Sequence, residues 1–161
     1  MVNFIPEPIK GESLDVPFFE NVKGADVSGR HTEKKVEVLQ KEIEDILVRL
    51  GAVGITFQAG EYPGKTKRFG FRIGFVVGAN RGRIDCAALP LRTFTPHKKD
   101  RALAAALFLV RDELKAALMA KMYKPGSVPL LPYMLDNKGR TLTEALTESP
   151  NVPLLVSLNG R

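Results

Sequence analysis

The 161-residue chain has no tryptophan, one cysteine and two histidines. A single cysteine excludes an intramolecular disulfide and fits a reducing compartment. His31 and His97 stand apart, with no Cys or His at ligand spacing, so no zinc site is expected. No apolar run exceeds the nine residues from Ala102 to Val110, against roughly 20 for a membrane span, and no membrane partner is expected. Met1-Val2-Asn3-Phe4-Ile5-Pro6-Glu7-Pro8 lacks the basic start and apolar stretch of a secretory signal, and a cytoplasmic location is expected.

The sequence is equally poor in catalytic arrangements. Cys86 lies inside a predicted strand, where a thiol is usually packing. Gly78 to Gly82 is not followed by Lys-Ser/Thr and joins two strands, so it is not a phosphate loop. Gly70-Phe71-Arg72-Ile73-Gly74 lies within a strand and is not a dinucleotide fingerprint. Asp112-Glu113 sits in mid-helix and reads as a solvated face rather than a metal-dependent nuclease site. No catalytic residue, metal or cofactor is assigned, and an enzyme is the third of three readings.

Charge is abundant but unevenly placed. The net charge is +6. From Lys65 to Arg101 the basic residues are Lys65, Lys67, Arg68, Arg72, Arg81, Arg83, Arg92, Lys98, Lys99 and Arg101, against Asp85 and Asp100, a net of +8. The remainder is slightly acidic, so this segment is the candidate polyanion surface.

The elements follow from periodicity and caps. A helix running from a Thr32 cap to Leu50 is predicted by Val36, Leu39, Ile43, Ile46, Leu47 and Leu50 at spacings of three and four, with Gly51 as its stop. Val53 to Phe57 reads as a short strand and Glu61-Tyr62-Pro63-Gly64 as a turn. Lys67 to Val77 is the clearest strand: Phe69, Phe71, Ile73, Phe75 and Val77 share one face, and Arg68, Gly70, Arg72 and Gly74 the other. Gly78 to Gly82 is a hairpin connection to a strand from Arg83 to Leu89. A long buried helix follows from Pro96 to Tyr123, with Thr95 as N-cap and Pro125-Gly126 beyond its end. Val128 to Leu135 is extended and Pro/Leu-rich, Asp136 to Arg140 a turn, and Thr141 with Glu144 a capping box for a short helix to about Glu148. Val152 to Val156 is a terminal extended segment. The prediction is a single α+β domain over residues 1–161. It has an extended N-terminal arm (1–31), an αβββα core (32–124) and a docked C-terminal region (125–161). The two helices cover the Phe-rich face of a three-stranded antiparallel sheet, leaving the Arg/Gly face open.

Arg101-Ala102-Leu103-Ala104-Ala105-Ala106-Leu107 with Leu109-Val110-Arg111-Asp112-Glu113-Leu114-Lys115-Ala116 resembles a helix of small, uncharacterised phage and mobile-element proteins. In that family, segments like Leu131-Pro132-Tyr133-Met134-Leu135, Asp136 to Glu144 and Val152-Pro153-Leu154-Leu155 follow in the same order. The resemblance spans about residues 70–157 and implies a mobile-element context without an activity. The chain departs from it in the turn Leu135-Asp136-Asn137-Lys138-Gly139 and in lacking an aromatic residue near the helix start. The order of elements is also similar to double-stranded RNA-binding domains, where Lys98, Lys99 and Arg101 would be the phosphate-binding positions. A hairpin leading into a basic helix start looks like the core of single-strand annealing proteins.

Together these features lead us to expect a non-catalytic nucleic-acid-binding protein that handles single-stranded DNA in recombination or replication. Lys65, Lys67, Arg68, Arg72, Arg81, Arg83, Lys98, Lys99 and Arg101 would contact phosphates. A homo-oligomer is a further expectation. The alternative is a protein-protein interaction module, an inhibitor or an oligomerising accessory protein.

Overall fold

The computed structural model describes residues 16–148. The predicted terminal segment Val152 to Val156 and the first 15 residues of the arm lie outside them.

Helix α1 spans Val36–Arg49, followed by β1 (Val53–Tyr62), β2 (Arg68–Val77), β3 (Asn80–Ala87), α2 (Pro96–Tyr123) and α3 (Leu142–Glu148). The strands form one antiparallel sheet in the order β1-β2-β3. The expected α+β class and the helix, three-strand, helix order are both present. Leu39, Ile43 and Leu47 from α1 and Ala104 and Leu107 from α2 bury against Phe71, Ile73, Phe75 and Ile84 of the sheet. Both helices therefore cover the Phe-rich face, as the alternation in β2 requires.

The cap of α2 is the predicted one: Thr95 Oγ1 accepts the Lys98 N–H at 3.1 Å, and Pro96 occupies the first turn. This helix is buried only through Leu114. Its last two turns leave Met119, Met122 and Tyr123 exposed.

The start of α1 differs from expectation. Lys35, not Thr32, is its N-cap, and its side chain makes no cap hydrogen bond. The cause is Arg101, whose guanidinium donates to the carbonyls of Thr32 (2.6 Å) and Lys34 (3.2 Å) and holds that stretch out of the helix. Thr32 Oγ1 accepts the Lys34 N–H instead.

The strands also differ at their ends. β1 continues through Glu61 and Tyr62, which pair with Phe69 and Arg68, so the turn begins at Pro63. Tyr62 is 4% exposed and lies over Gly70. Its hydroxyl donates to the Phe71 carbonyl at 2.8 Å and accepts the Cys86 N–H at 3.2 Å, tying all three strands. Gly70 is obligatory for this contact, because a Cβ there would lie 2.2 Å from the Cys86 carbonyl oxygen and 2.4 Å from the Tyr62 ring. The β2–β3 hairpin is tighter than predicted. Val77 pairs with Asn80, leaving a two-residue turn with Gly78 at φ +60°.

Residues 16–31 dock on their own chain. Phe19 is buried in a single 3-10 turn, its N–H donates to the Pro90 carbonyl, and Arg30 stacks 3.7 Å over its ring. After α2 the chain returns along the free edge of β3, where the Leu135 N–H donates to the Arg81 carbonyl and Met134 bridges Gly82.

Candidate nucleic-acid interface

The Arg/Gly face of the sheet is not left open as the sequence suggests. Tyr62 fills the space above Gly70 at one end, and residues 134–144 close the other. Between them lies a groove of about 570 Å³ over β1, β2 and β3, walled by the 135–139 turn. Thr56, Gln58, Arg72, Arg81, Arg83 and Lys138 supply its polar lining, and no carboxylate among the described residues lines it.

The floor is built from buried ion pairs. Arg83 is 6% exposed. Its Nε donates to Asp85 at 2.9 Å, one terminal nitrogen donates to the Gly139 carbonyl at 3.1 Å, and the other pairs with Glu144. Glu144 is itself 9% exposed. It also accepts from Thr141 Oγ1 (3.3 Å), and that oxygen takes the Glu144 N–H as the helix cap. The expected cap is thus present, but the carboxylate reaches Arg83. Arg72 Nε donates to the other Asp85 oxygen at 2.9 Å. Burial lowers the Arg83 pKa, and the Asp85 carboxylate opposes that shift.

Above this compensated floor, Arg81 and Lys138 are exposed, and no carboxylate among the described residues engages either side chain. They carry the groove's surplus charge, with the Thr56 hydroxyl and Gln58 amide as neutral donors opposite them. An extended anion lying there would meet cations on one wall and hydrogen-bond donors on the other.

The remaining expected site residues go elsewhere. Arg68 donates to the carbonyls of Ala88 (2.8 Å) and Ala87 (3.1 Å) and closes the sheet end. Lys98 reaches Glu20 at 3.4 Å, and Arg101 holds the Thr32–Lys34 stretch. Lys65 is exposed in the β1–β2 turn. Lys67 pairs with Glu61 at 2.9 Å and, with Lys99, flanks the Phe69 ring beside a second cleft. The nine residues therefore do not share one face. Arg72, Arg81 and Arg83 meet in the groove, and Lys67 and Lys99 meet in the cleft. Lys138, Thr56 and Gln58 were not singled out in the sequence. Lys138 lies outside the basic segment, and only the return of the chain to β3 brings it to Arg81.

Another cavity, of about 1,040 Å³ at the starts of α1 and α2, is lined by both histidines. Its charges are mixed: Glu33, Glu37 and Asp100 offset Arg30, Lys35 and Arg101, so it suits a polyanion poorly. Burial pushes the Cys86 thiol up to about 12, which keeps it protonated near neutral pH. Asp112 pairs with Arg111, which also reaches Glu42 of α1, and Glu113 accepts the Tyr133 hydroxyl at 3.1 Å. Among the described residues no group of His, Cys, Asp and Glu is arranged to hold a metal, and no helix is long and apolar enough to cross a membrane.

The class defined by this geometry is a two-layer α+β domain with helices on one sheet face and a basic groove on the other. Comparison with protein-family models, curated proteins and solved structures finds no match to the chain.

Proposed function

We propose that the protein binds nucleic acid without catalysis and that the groove over the sheet takes the phosphate backbone of a single strand. The carrying observation is the groove's surplus charge: Arg72 and Arg83 are compensated in the floor by Asp85 and Glu144, whereas Arg81 and Lys138 line it with no carboxylate partner among the described residues. Arg81 and Lys138 make the phosphate contacts. Arg72 and Arg83, tied to Asp85 and Glu144, are positioning residues that set the groove's shape. Phosphate contacts carry no base information, so binding is sequence-tolerant. The small volume of the groove and its two free cations favour a strand over a duplex, and single-stranded DNA during recombination or replication is the proposed context.

Fluorescence-anisotropy titration with labelled single- and double-stranded oligonucleotides tests this reading. The single strand should bind more tightly, and its affinity should fall steeply between low and physiological salt. Absence of binding at low salt refutes it.

A second reading is favoured by the exposed end of α2, where Met122 and Tyr123 lie beyond the core. It is a protein interface between copies of the chain. Sedimentation should then show a mass that rises with concentration and resists salt.

A further inference from the structure

We infer that the cleft beside Phe69 and Phe94 holds one unpaired nucleotide, its base on the Phe94 ring and its phosphate on Lys99. The ligand class rests on the nucleic-acid reading above, whereas the geometry rests on residues the groove does not use. This cleft, of about 460 Å³, lies at the opposite end of the sheet from the groove and on its other face. Its lining includes Glu61, Lys67, Phe69, Leu91, Phe94 and Lys99.

Phe94 is 58% exposed in the connection just before α2 and is the one exposed phenylalanine among the described residues. Its centroid is 5.8 Å from that of Phe69, with the planes tilted by 49°. The Lys67 and Lys99 ammonium groups sit 5.2 and 4.7 Å from the Phe69 centroid. Phe69 is thus engaged by cations, and Phe94 is the ring left to accept a flat partner. Lys67 is neutralised by Glu61, whereas no carboxylate among the described residues pairs with Lys99. A planar apolar face beside an unpaired ammonium matches a nucleobase with its phosphate.

The Phe94 position is held from the arm. Both Glu20 carboxylate oxygens accept backbone N–H groups of the connection, from Arg92 at 3.0 Å and Thr93 at 2.9 Å, and Arg92 also donates to the Asn21 side chain at 2.8 Å. The ring therefore stands at the end of a clamped segment rather than on a free loop.

The test uses the full chain, labelled for nuclear magnetic resonance, with deoxyadenosine 5′-monophosphate, inorganic phosphate and a penta-glutamate peptide as separate probes. The nucleotide should shift the Phe94 ring resonances upfield and move Lys99, while phosphate alone leaves the Phe94 ring unmoved. Phe94→Leu, a substitution on an exposed side chain, should weaken binding of a labelled single-stranded oligonucleotide by about tenfold, and Phe94→Tyr should retain it. If the oligonucleotide binds but the nucleotide leaves Phe94 unmoved and Phe94→Leu binds like wild type, the cleft assignment alone falls. If the peptide moves Phe94 and the nucleotide does not, the cleft is a site for acidic protein and the assignment is overturned. If neither oligonucleotide nor nucleotide binds, the cleft assignment and the nucleic-acid reading fall together.

Discussion

Replacing Glu144 with alanine removes one of three acceptors around the Arg83 guanidinium and leaves a terminal nitrogen unpaired in a residue that is 6% exposed. Breaking a buried ion pair from one side costs about 3–5 kcal/mol, because a charge remains without its partner. Asp85 still holds Nε and the Gly139 carbonyl still accepts, so the lower end applies, about 3 kcal/mol. For a chain of this size that corresponds to a fall in Tm of about 6–12 °C. Arg83→Met alone strands the buried Glu144 carboxylate and should cost a similar amount. The double variant Arg83→Met/Glu144→Leu removes both charges, while Arg72 keeps Asp85 paired. Its destabilisation should fall at least about 2 kcal/mol below the sum of the single variants. Urea unfolding followed by circular dichroism measures all three. Glu144→Ala within about 0.5 kcal/mol of wild type, or strict additivity in the double variant, would show that this pair does not fasten the C-terminal region to the sheet.

Three further outcomes follow from the geometry. Gly70→Ala drives a methyl group against the Cys86 carbonyl and the Tyr62 ring, and should destabilise the fold by about 2–3 kcal/mol in the same urea assay, with Tyr62→Phe milder because only the hydroxyl bridge is lost. Desolvation pushes the Glu20 carboxyl up, but the N–H groups of Arg92 and Thr93 and the nearby Lys98 outweigh it and hold the group down to about 2. A depressed carboxyl stabilises the fold above its unfolded value near 4.5 and loses that effect as pH falls through its folded value. The stability gap between wild type and Glu20→Gln should therefore be full above pH 4.5 and close towards pH 2, and a gap independent of pH would refute the clamp. Glu20→Gln should also weaken oligonucleotide binding modestly at pH 7, because it loosens the connection that carries Phe94.

Local signals in the sequence were reliable where a residue's partner lies nearby. Thr95-Pro96 marks the start of α2 because cap and first turn are adjacent, and the alternation from Phe69 to Val77 places the core face because it needs only the strand period. Signals failed where the deciding partner is remote. Thr32 has the chemistry of an N-cap, but Arg101, 69 residues away, takes its carbonyl and shifts the helix start to Val36. Arg83 reads as one more surface cation until Glu144, 61 residues away, pairs with it and buries both. Charge counting located the basic segment but not its division. The same segment supplies the groove with Arg81, the cleft with Lys99 and the arm contact with Lys98. Lys138 was invisible to that count because it lies outside the basic segment, and only the fold brings it beside Arg81.

The most direct test of the groove is the salt dependence of single-stranded oligonucleotide binding for wild type and for Arg81→Ala/Lys138→Ala. Both substituted side chains are exposed, and neither holds the ion-pair floor together. Each phosphate contact to a single strand contributes about 0.7 to the slope of log K against log salt, so the double variant should bind more weakly and its slope should be shallower by about 1.4. Unchanged affinity and slope, with the variant folded as wild type, would contradict the assignment of the groove as the phosphate site.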